Sequence, residues 1–132
     1  MFLSLDYLYV PASDIETAVR FYTEQLGGKL VWKIHAFETW VAAVRLSASG
    51  PLILLAAHLQ GNSPVVIYRV EHLQSTVATL QARGWRPESG PFEIPNGPCY
   101  TFRDPEGIRL AIYENQRPDV AEHFVGRIDK AN

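Results

Sequence analysis

The sequence of 132 residues is short of several things, and each shortage removes a class of function. Cysteine occurs once, at Cys99. No disulfide can form within the chain, and the cytoplasm is the expected location. Net charge is -2 and the 12 lysines and arginines form no run, so the electrostatic footprint of a nucleic-acid binder is missing. The longest apolar run, Leu52 to Ala57, is far below the ~20 residues of a membrane span. The opening MFLSLDYLYV has no basic leader and is interrupted by Asp6, so it reads as a strand and not as a signal peptide. There is no P-loop, dinucleotide fingerprint or serine nucleophile elbow. The histidines His35, His58, His72 and His123 share no short metal-ligand spacing. Glu38, Glu93 and Glu114 are too scattered to name an acid–base pair. What remains is an ordinary globular composition, 47% hydrophobic and 11% aromatic, at a length that suits one domain.

What is there is one pattern written twice. Leu3 to Val10 is rich in β-branched and aromatic residues and reads as a strand, with Leu5, Tyr7 and Tyr9 on one face and Asp6, Leu8 and Val10 on the other. Pro11 stops it. Ser13 with Glu16 three residues on predicts a capping box, and Ile15, Ala18, Val19, Tyr22 and Leu26 recur at helical spacing up to Gly27-Gly28. Lys29 to Ala36, Thr39 to Ser47 and Leu52 to His58 read as strands, the first two joined by a turn around Phe37-Glu38. After the loop Gln60 to Pro64 the order restarts. Pro64 to Val70 is a strand, Leu73, Val77 and Leu80 mark a helix closed by Gly84, and strands follow near Trp85 to Pro87 and at Cys99 to Arg103. Glu88 to Pro98, with its spaced prolines, reads as a loop edging a pocket. In FRDPEGIRLAIYE, Asp104-Pro105-Glu106-Gly107 has the chemistry of a type I turn closing a hairpin with a bulge. Val120 to Val125, in a polar tail, can form a short helix or fray.

Three stretches, LDYLYVPASDIETAVRFYTEQLGG, YRVEHLQSTVATLQARGW and FRDPEGIRLAIYE, carry a resemblance to the vicinal oxygen chelate superfamily, which holds glyoxalase I, bleomycin-resistance proteins and extradiol dioxygenases. The resemblance implies an α+β fold of paired βαβββ modules, here 1–60 and 64–114 with a tail at 115–132, whose sheet curls into a cup. It also implies a homodimer. Metal-dependent members place ligands where this chain has Tyr7, Val65 and Ala111, and a fourth in the strand Leu52 to Ala57. One phenol among aliphatic side chains does not hold a divalent ion, so neither a metal nor any other cofactor is expected.

In the register the resemblance implies, Leu8, Val10, Val66, Tyr68, Val70, Leu110 and Ile112 pack beneath the helices. Tyr7, Tyr9, Leu54, Val65, Ile67, Arg69, Arg109, Ala111 and Tyr113 line the cup. Trp32, Trp40, Tyr100 and Phe102 add rings that serve either as core or as platforms for a planar or cationic ligand. Arg69 and Arg109 can together hold an anionic group, or can pair with Glu71, Glu106 or Glu114 at the edge. The preferred expectation is a metal-free protein that sequesters or carries a hydrophobic, aromatic small molecule, similar to bleomycin-resistance proteins, with no catalytic residue and no nucleic-acid or membrane partner. Two alternatives stand beside it. One is an enzyme (lyase, isomerase or oxygenase) using a relocated metal on His35, His58 and Glu93, or Tyr7 with Arg109. The other is an interaction module whose cup is filled by its own side chains.

Overall fold

Side chains alternate along a strand, so each strand here can offer one face to a helix and the other to a hollow. The computed structural model describes residues 1–36 and 38–130. Its elements run β1 (Phe2–Pro11), α1 (Ile15–Arg20), β2 (Lys29–Ala36), β3 (Thr39–Arg45), β4 (Leu52–Ala56), β5 (Val65–Val70), α2 (Leu73–Ala82), β6 (Ser89–Ile94), β7 (Gly97–Arg103), β8 (Arg109–Glu114) and α3 (Val120–Phe124). The βαβββ order therefore occurs twice in an α+β fold. The strands form one curled mixed sheet in the order β2-β3-β4-β1-β5-β8-β7-β6. Within each half the first and last strands run parallel, β1 with β4 and β5 with β8, and the halves join where β1 pairs antiparallel with β5.

Each helix covers its own half of the sheet. Ile15, Ala18, Val19 and Tyr22 meet Val44, Ile53 and Leu55, while Leu73, Val77 and Leu80 meet Val70, Phe102 and Ile112. The expected capping box at Ser13 is replaced by Asp14, whose side chain accepts from the Thr17 N–H at 3.1 Å. Glu16, the expected box partner, instead pairs with Lys33 of β2. At Phe21–Gln25 the helix widens into a π turn. Thr23 explains this, since its hydroxyl donates to the Val19 carbonyl at 2.7 Å and takes the acceptor a regular turn would use. The first N–H of α2 is satisfied from across the fold, by Glu114 Oε1 at 2.7 Å. That bond, then the Gln116 side chain, holds the Glu114 carboxyl below the usual range.

The strand expected near Trp85 to Pro87 lies instead at Ser89–Ile94, inside the stretch read as a loop. Proline is tolerated there because β6 ends the sheet, where a missing N–H breaks no ladder. The hairpin at Asp104 to Gly107 closes as expected. Asp104 Oδ1 accepts from the N–H groups of Glu106 and Ile108, each at 2.9 Å, and Gly107 takes φ 89°. Of the turn expected at Phe37-Glu38, Phe37 lies outside the described residues, and Glu38 has φ 62°. Residues 131 and 132 of the tail also lie outside them.

The nearly all-apolar β4 is accounted for within the chain. Ile53 and Leu55 pack under α1, and Leu52 and Leu54 face the hollow. After α3 the tail runs along the outer edge of β2. Gly126 donates to Val31 O at 2.9 Å, Lys33 to Arg127 O at 2.9 Å and Asp129 to Lys33 O at 2.8 Å. Among the described residues no helix is long and apolar enough to cross a membrane.

Gly97 is held by close approach: a Cβ there would stand 2.0 Å from the Glu114 carbonyl oxygen, backbone that no rotamer change can move. Gly97→Ala is therefore expected to reduce stability by about 1–3 kcal/mol or more, read as a lowered urea midpoint with an unchanged slope.

Candidate functional site

The sheet's concave face is assembled from alternate residues of strands along its width, from β2 to β7. On one side lie Trp32, Ile34, Val41, Ala43, Leu52 and Leu54, with Phe124 of α3 resting on Trp32 at 5.5 Å between ring centroids. On the other lie Val65, Ile67, Cys99, Ala111 and Tyr113. Tyr7 and Tyr9 stand on β1, the strand at the seam between the two halves.

A polar centre interrupts this apolar lining. Between Leu5 and Tyr7 the β1–β5 register slips, so that Leu5 opposes Tyr68 and Tyr7 opposes Ile67. Asp6 is the extra residue of this bulge, and Leu5 consequently faces the α2 side. The Asp6 carboxylate accepts from Tyr113 Oη at 2.5 Å and from Ser4 Oγ at 2.6 Å, and lies 3.6 Å from Arg69 Nε. Strict alternation places Asp6 beneath the helices; the bulge brings it to the concave side, beside Tyr7. Burial, and then the bond to Asp6, pushes the Tyr113 phenol far above its ordinary value. Burial also raises Tyr7, against the Tyr113 hydroxyl beside it, which works the other way. Tyr9 is pushed by burial up to about 12 and makes a separate contact, its hydroxyl 3.0 Å from His58 Nε2, while His58 Nδ1 lies 3.0 Å from Thr39 Oγ1.

The structure brings Tyr7, Tyr9, Trp32, Leu54, Val65, Ile67, Arg69, Ala111 and Tyr113 to the concave side. It does not bring three others there. Trp40 pairs with His35 and packs with the α1 core, so it turns away from Trp32. Tyr100 and Phe102 pack with the α2 core, because Cys99 and Thr101 hold the concave positions of β7. Tyr100 also borders a second concavity, a cleft of about 560 Å³ between the start of α2 and β6, walled by Leu73, Phe92, Glu93, Pro98 and Glu114. This cleft is what the Glu88–Pro98 segment edges.

The two arginines do not converge. Arg69 opposes Tyr113, four residues beyond Arg109 on β8, which separates them by ~13 Å along the strand. Their partners are Asp6 for Arg69 and Glu88 for Arg109, at 3.7 Å, not the glutamates expected. Glu88 also pairs with Arg103. A relocated metal on His35, His58 and Glu93 finds no support in placement. His35 and Glu93 lie on the two edge strands of the sheet, and Glu93 pairs with Arg117 at 2.8 Å.

Sequence reasoning missed Asp6 as a site residue. Its one signal is a carboxylate inside an otherwise apolar and aromatic strand, which needs a partner wherever it faces. The positions where the resemblance implies metal ligands offer a protonated phenol at Tyr7 and the buried aliphatic side chains of Val65 and Ala111. Asp6 adds one carboxylate, already engaged by Ser4, Tyr113 and Arg69. Among the described residues no group of three or more His, Cys, Asp or Glu could hold a metal ion. This donor set does not fit a divalent cation.

Comparison with known proteins gives a consistent fold. Residues 4–112 match the family described as the Glyoxalase/Bleomycin resistance protein/Dioxygenase superfamily. Comparison with curated proteins gave no match. Among solved structures, the chain is similar to methylmalonyl-CoA epimerase from Mycobacterium tuberculosis, with TM-score 0.72, 20% identity, and 89% of this chain and 91% of that chain covered. It is similar to the Streptomyces coelicolor methylmalonyl-CoA epimerase, with TM-score 0.72, 12% identity and coverage of 88% and 96%. A catechol 2,3-dioxygenase gives TM-score 0.63 at 19% identity, with 86% of this chain set against 42% of that one. At these identities the likeness speaks for the fold and not for a reaction.

The part-buried Asp6–Tyr113 bond can be weighed by a double-mutant cycle. Tyr113→Phe is expected to lower stability by about 1–3 kcal/mol, because it strips a donor from a partly buried carboxylate. Tyr113→Phe on an Asp6→Asn background is expected to lower it by less, the difference in urea midpoints giving the coupling. The raised acids predict an alkaline limit. Burial holds Cys99 and Tyr9 each at about 12 in the folded state, so above the unfolded values near 9 and 10 the unfolded chain releases protons that the folded chain keeps. Stability should then be full below about pH 9 and fall as pH rises toward 12. Cys99→Ala should delay the start of that fall in pH-dependent unfolding curves.

Proposed function

Since this chain belongs to the Glyoxalase/Bleomycin resistance protein/Dioxygenase superfamily, we propose that its concave face binds a hydrophobic, partly aromatic small molecule and holds it without covalent chemistry or metal. The observation that carries this reading is the lining itself. Val65 and Ala111 stand where cation ligands would be needed, and Tyr7, Tyr9 and Trp32 supply flat surface around them. In this reading the protein sequesters or carries its ligand in the manner of bleomycin-resistance proteins. It works in the cytoplasm and as a homodimer, the assembly that the family resemblance implies.

Asp6 favours a second reading. A carboxylate bound to Tyr113 and near Arg69 inside an apolar hollow is also suited to moving a proton on a bound substrate. In that case the chain is an enzyme whose acid–base groups are Asp6 and Tyr7, with Arg109 taking no part because it lies at the far end of β8.

One experiment separates the two. The full chain is screened against planar aromatic compounds by thermal shift, and each hit is incubated with protein and followed by NMR. The expected result is a raised Tm with the compound recovered unchanged, and Tyr7→Leu weakening binding about three- to tenfold through the lost ring contact. Conversion of the compound that Asp6→Asn abolishes would instead establish the enzyme. Stoichiometric zinc, iron, manganese or nickel in protein purified from metal-replete cells would overturn the metal-free reading.

A further inference from the structure

The contact of Tyr9 with His58 and Thr39 lies apart from the Asp6 centre, and neither reading above has used it. Tyr9 stands on the concave face opposite Leu54 of β4 and Val65 of β5. Its hydroxyl meets His58 Nε2 at 3.0 Å, the two rings lie edge to face at 5.8 Å, and Thr39 Oγ1 sits 3.0 Å from His58 Nδ1. His58 itself is exposed. The three groups thus form a hydrogen-bonded line from the wall of the hollow to solvent, through the one side-chain type whose charge ordinarily changes between pH 5 and 8.

We propose that Tyr9, His58 and Thr39 form a proton-set contact that selects ligands presenting a hydrogen-bond acceptor, a carbonyl or carboxylate oxygen, to this wall of the hollow. The proposal rests on the binding reading above and specifies its ligand chemistry. A neutral imidazole has one N–H and one bare nitrogen. A phenol is a far stronger acid than an aliphatic hydroxyl, so the bare nitrogen goes to Tyr9: Tyr9 O–H donates to Nε2, and Nδ1–H donates to Thr39. Tyr9 then faces the ligand as an acceptor only. When His58 is protonated both ring nitrogens donate, Nε2–H is received by the Tyr9 oxygen, and the Tyr9 proton is released toward the hollow. One protonation at the surface thereby turns Tyr9 from an acceptor into a donor, and an acceptor oxygen on the ligand gains a partner.

The surroundings isolate this effect. The other titratable groups in the cluster that packs around Tyr9 are Tyr7 on β1, Cys99 on β7 and Tyr113 on β8, all held protonated by burial. The ion pairs among the described residues leave His58 out.

The test uses the full chain labelled with ¹⁵N and 2-naphthoate as probe, which stays anionic from pH 5.5 to 8. At pH 8 the His58 ring is expected to carry its proton on Nδ1; a proton on Nε2 overturns the proposal without any ligand. Naphthoate binding is followed by the amide signals of Val65 and Ala111. Wild type is expected to bind about three- to tenfold more tightly at pH 5.5 than at pH 8, the range for one added hydrogen bond. His58→Gln and Tyr9→Phe are each expected to lose that gain. A gain that persists in His58→Gln assigns it to charge elsewhere in the chain and overturns the switch alone. No binding at either pH overturns ligand selection together with the binding reading for aromatic carboxylates, while the tautomer result still decides the hydrogen-bonded line by itself.

Discussion

The residue inserted at Asp6 in the central strand decides what polar groups the hollow contains. β1 is bonded on both sides, parallel to β4 and antiparallel to β5, so every other strand takes its position from it directly or through a neighbour. A regular strand in that place would alternate strictly and show the helices whatever it withheld from the hollow. The slip between Leu5 and Tyr7, which follows another between Phe2 and Ser4, puts Asp6 on the concave side. It sets a carboxylate and a phenol side by side on the concave side, and Arg69 of the neighbouring β5 and Tyr113 of β8 beyond it complete the group. The hollow is consequently not uniform: one half is hydrocarbon and indole under Phe124, and the other has a bonded polar centre at its floor.

Architecture was largely legible in the sequence because it rests on features that repeat. Helical spacing at Ile15 to Tyr22 and at Leu73 to Leu80, the turn chemistry of Asp104 to Gly107, and the double βαβββ order each have a periodic or local cause. The concave residues on β5 and β8 were legible for the same reason, since those strands pair without interruption. What was not legible depends on offsets between strands. Trp40 and Trp32 border the same turn, but the pairing of Ala36 with Thr39 sends them to opposite faces. Tyr100 and Phe102 look like cup residues until Cys99 is found opposite Tyr113. Asp6 was placed on the face of Leu8 and Val10 by strict alternation, because a bulge leaves no sequence mark beyond the oddness of a charge among rings. The arginines were assigned the right face and the wrong partnership, because distance along a strand cannot be read from which face a residue occupies.

The chemistry of the site follows from what surrounds each polar atom. Asp6 is bonded by two hydroxyls with an arginine close by, so a charge in an apolar hollow is compensated, as burial demands. Tyr7, Tyr9, Tyr113 and Cys99 are kept protonated, and none is a ready nucleophile or anionic ligand. A lining of neutral acids and alkyl groups suits recognition by shape and hydrogen bonding. Family membership alone does not select this role, since the same fold serves proteins described as epimerases and dioxygenases.

The segment that runs beside β2 has a consequence for self-association. By occupying the Val31 carbonyl and both the N–H and the carbonyl of Lys33, residues 126–129 leave no template there for a stranger's backbone to extend the ladder. At the other extremity, β6 presents Pro91, which has no N–H to offer, and Arg117 occupies the carbonyl of Ile94. Both margins of the ladder are thus blunted by the chain's own residues. Blunted in this way, the two margins are poor templates for edge-to-edge pairing between copies of the chain.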